Sequence, residues 1–253
     1  MSYLKEELGK LTNLGQVAVL LFIYLVVMGV ATSVLPARPG DWEFALAMML
    51  PLPIVAFGLS KTIFTVRGNI SPITELTVIA ASLAMCLIAM IGSRPGMNGS
   101  VTYLPAAIVA SAAIALGEEI LFRGALLPAL SERFGFIWGI ALSAVVFGSL
   151  HLEASYFAGL SALIAGVALG SLYVRSGLGA CVVFHLFFNI VCGPMMGLPI
   201  GGLPWPGLLS PANARDPLTS GLVLAGFALL ALWWFPWEYL VKKKTPADEP
   251  QPV

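Results

Sequence analysis

The only two histidines of the chain, His151 and His185, lie inside apolar stretches, as do the pair Glu118-Glu119, Arg123 and Asn189. In the stretch Glu118-Glu119-Ile120-Leu121-Phe122-Arg123-Gly124, Glu119 and Arg123 stand at i and i+4. On a helix this spacing brings them to one face as an ion pair, which lowers the cost of burying either charge. Glu118 is turned by about 100° from Glu119, so it is left available, and a carboxylate in apolar surroundings suits general acid/base work. His185 and Asn189 are again at i and i+4. Together they present two hydrogen-bonding side chains to one point and can hold a developing oxyanion, each good donor contributing about 2.7–4 kcal/mol. Phe147 stands one turn before His151, and Glu153 follows just beyond it.

Each of these residues also has a plainer explanation. A lone Glu–Arg pair within a helix is commonly structural, and a single histidine in a membrane helix often bonds a neighbouring helix. Ionisable groups in such a helix cost about 2.5–3.5 kcal/mol each on insertion scales. Both histidines and a glutamate beyond the ion pair gather in three neighbouring apolar segments, which argues for one joint site. Glu43, Glu75 and Glu153 lie near segment ends and are expected at the interface.

The elements that must position these side chains are read from composition and runs. Of 253 residues, 58% are hydrophobic and 10% charged, with a mean hydropathy of +0.92. Soluble domains carry about a quarter charged residues, so lipid is the solvent for most of this chain. Thirteen basic and thirteen acidic residues balance, so net charge marks no ligand. Cys86, Cys181 and Cys192 sit in apolar runs and are expected to pack rather than form disulfides. Eight apolar runs have bilayer-spanning length, at about 17–35, 42–59, 73–92, 103–127, 136–153, 155–174, 178–198 and 219–241. The first exceeds the 7–15 residues or so of a cleaved signal's apolar region and is read as a retained helix. The connection after 198, with Pro199, Gly201, Gly202, Pro204, Pro206 and Pro211, is read as a loop.

The expected fold is therefore an all-α polytopic transmembrane helix bundle of about eight spans. Both termini and the even connections would hold Lys5, Lys10, Lys61, Arg67, Arg133, Arg175 and Lys242 to Lys244, against Arg38, Arg94 and Arg215 on the opposite side. The excess makes both termini cytoplasmic. Trp233, Trp234, Trp237 and Tyr239 before the three lysines read as an interfacial aromatic belt. Gly159, Gly166 and Gly170 form a small-residue stripe for close helix packing, and Pro51 and Pro53 are expected to interrupt the second span.

Glu118-Glu119-x-x-x-Arg123, Phe147-x-x-x-His151 and His185-x-x-x-Asn189, in this order and spacing, resemble the three motifs of the CPBP (Abi) family. That family includes type II CAAX prenyl endopeptidases and bacterial proteins linked to bacteriocin processing and immunity. The resemblance implies proteolysis within the membrane. Glu118 and His151 would activate a water, His185 and Asn189 would form the oxyanion hole, and Glu119, Arg123 and Phe147 would support them. It also implies a division into N-terminal helices (1–102), a catalytic core (103–198), and a final loop, helix and tail (199–253). Zinc held by Glu118, His151 and His185 is the alternative, since two histidines and a glutamate form some catalytic zinc sites. The chain lacks H-E-x-x-H, and the expectation is a mechanism without a cofactor. Expected partners are the bilayer of the cell membrane and a membrane protein or lipid-associated peptide substrate, with no nucleic acid. Two other classes compete, a non-catalytic immunity or scaffolding protein of the same fold and a transporter or proton relay. A scaffold has no need of all four polar residues, and no inverted repeat supports a transporter.

Overall fold

A charged pair is buried in this molecule while many of its large apolar side chains lie outside. Among the described residues, the buried charged side chains are Glu119 and Arg123, accompanied by His185 and Asn189. Phe22, Leu76, Trp138, Tyr156 and Leu229 are more than half exposed. In water this distribution would be costly; in hydrocarbon it is the expected one. The computed structural model describes residues 13–34, 41–49, 72–93, 95–97, 101–152, 156–195, 209–211 and 217–241.

The described chain is helical, because an apolar segment in lipid has to satisfy its backbone within itself. Helices α1 (Asn13–Val34), α2 (Trp42–Met49) and α3 (Pro72–Ser93) come first. A continuous rod follows: a 3-10 turn (Val101–Tyr103), α4 (Leu104–Glu119), a π-helical segment (Ile120–Leu126) and α5 (Leu127–Phe134). Proline in the first turn of α4 costs no helical bond there, and Pro128, at the start of α5, follows directly on the π segment. The rod runs past the expected end near 127 and stops at Gly135, whose φ of 83° suits glycine and no β-carbon-bearing residue of ordinary cost. Helix α6 (Phe136–Leu150) leads back, and α7 (Tyr156–Ile190) bends at Gly177, with φ 81° and ψ −178°.

The bend in α7 makes it a hairpin of two arms. The Cys181 thiol, just after the bend, donates to the Leu169 carbonyl before it at 3.2 Å. Ala165, Leu169 and Leu172 of the first arm also share a core with Cys181 and Phe184 of the second. This matches the break expected at 175–177. A second π segment (Val191–Met195), helix α8 (Pro217–Trp234) and the short α9 (Glu238–Val241) complete the helices. One exception to the all-helical expectation is a small antiparallel ribbon, β1 (Pro95–Met97) with β2 (Leu209–Pro211), pairing Pro95 with Pro211.

Three apolar clusters hold the bundle. One joins α3, both arms of α7 and α8 around Met85, Phe184 and Phe227. A second joins α1, the π segment, α5 and Phe147. The third packs α2 on α4 through Phe44, Met48 and Ala107. The glycine stripe lies against α6, where a β-carbon on Gly166 would come within 2.9 Å of the Ala144 Cα. The aromatic belt needs correction at one residue. Trp234 is buried and meets Phe184 edge-on at 5.4 Å, whereas Trp233, Trp237 and Tyr239 are exposed.

Two helical stretches, Val101–Phe134 and Tyr156–Met195, are long and apolar enough to cross a membrane, and shorter apolar helices occur at 14–30, 76–85, 136–150 and 221–234. Pro51, Pro53, Glu153 and the basic residues of both termini fall outside the described residues.

Candidate active site

Glu119 sits at the end of α4, where the α-helix passes into the π segment. A π turn widens the helix by one residue and re-aims the side chains around it, a device that recurs at functional sites. Its carboxylate is fully buried. The Oε1 atom accepts from Arg123 at 2.9 Å, as the i and i+4 spacing requires. The same oxygen takes a second partner that the spacing could not reveal, His185 Nδ1 at 2.7 Å from the second arm of α7. A carboxylate oxygen accepts, so Nδ1 carries the proton in this contact. The other ring nitrogen, Nε2, lies 3.7 Å from Glu118 Oε2. His185 therefore stands between the two glutamates.

Glu118 is not buried to the same degree: its side chain keeps 17% of its surface, against 0% for Glu119. The two neighbours thus divide their environments as their rotation about the helix requires, one fixed in a buried network and one facing an accessible space. Asn189, one turn beyond His185, is buried, and its Oδ1 has no hydrogen-bond partner among the described residues. Rotating the amide by half a turn would place its NH₂ at that corner. Either way, a buried polar corner remains uncommitted beside His185. The second π segment begins two residues after Asn189, and Tyr103 donates to its Pro194 carbonyl at 2.8 Å. Two of the three motif-bearing elements therefore turn π-helical next to their motif, just after Glu118-Glu119 and just after His185 and Asn189.

Phe147 is the hub around which these groups turn. Its ring lies 4.6 Å from the Arg123 guanidinium carbon, 4.6 Å from the His151 ring centre and 6.5 Å edge-on from the His185 ring. Phe122 closes its remaining edge at 5.0 Å. A desolvated cation over an aromatic face is worth about 2 kcal/mol, so Phe147 helps hold Arg123 in apolar surroundings. His151 caps the end of α6 and is partly exposed. Its Nδ1 lies 2.8 Å from the Phe147 carbonyl, and a carbonyl only accepts, so Nδ1 carries the proton. In the neutral ring this leaves Nε2 with a free lone pair.

The structure thus brings Glu118, Glu119, Arg123 and His185 together directly, His151 joins them across the Phe147 ring, and Asn189 is buried one helical turn beyond His185. It seats Glu118 against His185 rather than against His151. As for a metal, no three His, Cys, Asp or Glu side chains among the described residues converge as a metal-binding set. His185 Nδ1 and His151 Nδ1 are each committed to a protein acceptor. Tyr24 of α1 also shares the apolar cluster of Phe147 and Phe122. A tyrosine far away in sequence carries no spacing signal toward this site.

No curated protein matches the chain. Residues 100–191, from the start of the α4 rod through the second arm of α7, match the family described as Type II CAAX prenyl endopeptidase Rce1-like, the family that the three motifs resemble.

Proposed function

We propose that this protein is a membrane-embedded endopeptidase of the type II CAAX prenyl endopeptidase class. The observation that carries the reading is the convergence on His185. In an apolar helical interior, the buried Glu119–Arg123 pair and the more accessible Glu118 meet one imidazole, with the buried Asn189, its Oδ1 without a partner among the described residues, one turn beyond. The match over residues 100–191 supports the peptidase class.

In this reading Glu118 and His151 activate the water. Its proton passes to the glutamate carboxylate or to the unprotonated Nε2 of His151, and its oxygen bonds the scissile carbonyl carbon. The carbonyl oxygen becomes an oxyanion, received by Asn189 and by His185. With Nδ1–H already given to Glu119, His185 donates from Nε2 when its ring carries both protons. The C–N bond then breaks, the proton returns to the leaving amine, and a carboxylic acid and an amine result. Glu119, Arg123 and Phe147 hold His185 and His151 in place. No step requires a metal, and the substrate is a membrane protein or lipid-associated peptide.

We also propose eight spans with both termini on the cytoplasmic side, in three regions divided at 102/103 and 198/199. Two groups of contacts support the alternation. The ribbon joining 95–97 to 209–211 and the Tyr103–Pro194 bond link segments expected on the outer face. Arg175 donates to the Trp234 and Phe235 carbonyls at 2.7 and 3.0 Å, and Phe136 meets Tyr239 at 5.3 Å, linking segments expected on the inner face.

The test is cleavage of a quenched, prenylated peptide ending in a C-a-a-X sequence by the purified protein in detergent. Wild-type protein is expected to cleave it, and Glu118→Ala, His151→Ala and His185→Ala to abolish cleavage while remaining membrane-inserted. Full activity of Glu118→Ala would end the peptidase reading.

A further inference from the structure

The second arm of α7 runs into the π segment Val191–Met195, which has Pro194 inside it. Proline brings no N–H, so one helical bond is missing from this stretch. The carbonyls of a last helical turn also have no donor further along the helix. Both weaknesses fall just beyond Asn189. A donor reaches the stretch from elsewhere: the Tyr103 hydroxyl donates to the Pro194 carbonyl at 2.8 Å, across 91 positions of sequence. The Tyr103 ring packs against the α2–α4 cluster of Phe44, Met48 and Ala107. Phenylalanine would fill that seat equally well, so the hydroxyl is what the bond requires. The chain just before Tyr103 is tied to the chain beyond Met195 a second time, where Pro95–Met97 pairs with Leu209–Pro211.

We propose that Tyr103 is a positioning residue for Asn189, its bond to Pro194 fixing the second π segment in place and with it the aim of the Asn189 amide. A π segment stores one extra residue in a helix. Were that extra residue to slip back by a turn, the side chains it passed would rotate by about 100° around the axis, Asn189 among them. His185, one turn earlier, is held by Glu119 at 2.7 Å. Asn189 is buried, and its Oδ1 has no partner among the described residues. Its direction therefore depends on the backbone that carries it. Tyr103 stands at the N-cap of α4, the helix that ends in Glu118-Glu119. One rod thus supplies both glutamates and the bond that steadies the asparagine of another motif.

The role in turnover rests on the peptidase reading, but the hold on the π segment does not, so two measurements separate them. The first is hydrogen exchange of the full chain in detergent micelles, wild type against Tyr103→Phe, which keeps the ring in its seat. Losing a hydrogen bond of ordinary strength should speed exchange of the 190–195 amides by about fivefold, with those of α4 at 104–119 unchanged. Acceleration of less than about 1.5-fold at 190–195, or equal acceleration in both stretches, overturns the proposal. The second is kinetics on the prenylated C-a-a-X peptide. Tyr103→Phe is expected to lower kcat about tenfold with KM unchanged, and to lower it no further once Asn189 is replaced by alanine. An unchanged kcat, or the same loss in the Asn189→Ala background, overturns the role through Asn189. Should wild-type protein leave the peptide uncut, the peptidase reading falls, while exchange still decides whether Tyr103 holds the π segment.

Discussion

Replacing Arg123 by Met removes a guanidinium that is 1% exposed and keeps a side chain of similar length. Glu119 Oε1 then loses its 2.9 Å partner and retains only His185, while Oε2 already has no hydrogen-bond partner among the described residues. The Phe147 face also loses the cation 4.6 Å above it. Stranding one member of a buried ion pair costs about 3–5 kcal/mol, so the folded-to-unfolded ratio should fall by more than about a hundredfold. Denaturant titration of purified protein in mixed micelles measures this directly. Glu119→Gln in the Arg123→Met background should recover part of the loss, with a coupling of about 0.5–3 kcal/mol, because the stranded charge is gone. An Arg123→Met protein as stable as wild type, or two strictly additive substitutions, would refute the buried network as the element that holds His185.

Gly166→Val should lower the melting temperature, since overpacking costs about 1–3 kcal/mol and the added β-carbon would sit 2.9 Å from the Ala144 Cα. Gly221→Ala, with nothing within 4 Å, is the neutral control; equal melting of the two variants would contradict the close packing of α6 on α7. Arg175→Gln should expose the end of α8 to limited proteolysis near Trp234 and Phe235, whose carbonyls it binds, and an unchanged digest would count against that clasp. Peptidase activity should survive exhaustive chelation; loss that zinc restores would overturn the metal-free mechanism.

The helices and the Glu119–Arg123 pair were legible because both depend on local spacing. The apolar runs set the helices, and i and i+4 set the pair. The breaks before 136 and at 175–177 were readable as gaps between apolar runs, and each closes on a glycine free to take the positive φ found there. What remained hidden depends on distant parts of the chain meeting. The second partner of Glu119 comes from 66 positions away, and Tyr24 comes from a helix that carries none of the three motifs. The placement of Phe147 between two histidines and Arg123 needs three elements to be packed together before it exists. The π segments left no sequence mark, because an i and i+4 pair forms on either helix type. Trp234 was misread for a related reason. One tryptophan among several at a helix end turns inward, and only the partner Phe184 decides which.

The central claim is that Glu118 makes this membrane protein a peptidase. Its most direct test compares the protein termini in membranes from cells carrying wild-type protein with those from cells carrying Glu118→Ala at equal abundance. The account predicts a set of membrane or lipid-associated proteins with new termini only in the wild-type membranes, accumulating uncut in the variant. Identical termini in both membranes, with the biological effect retained by Glu118→Ala, would contradict it.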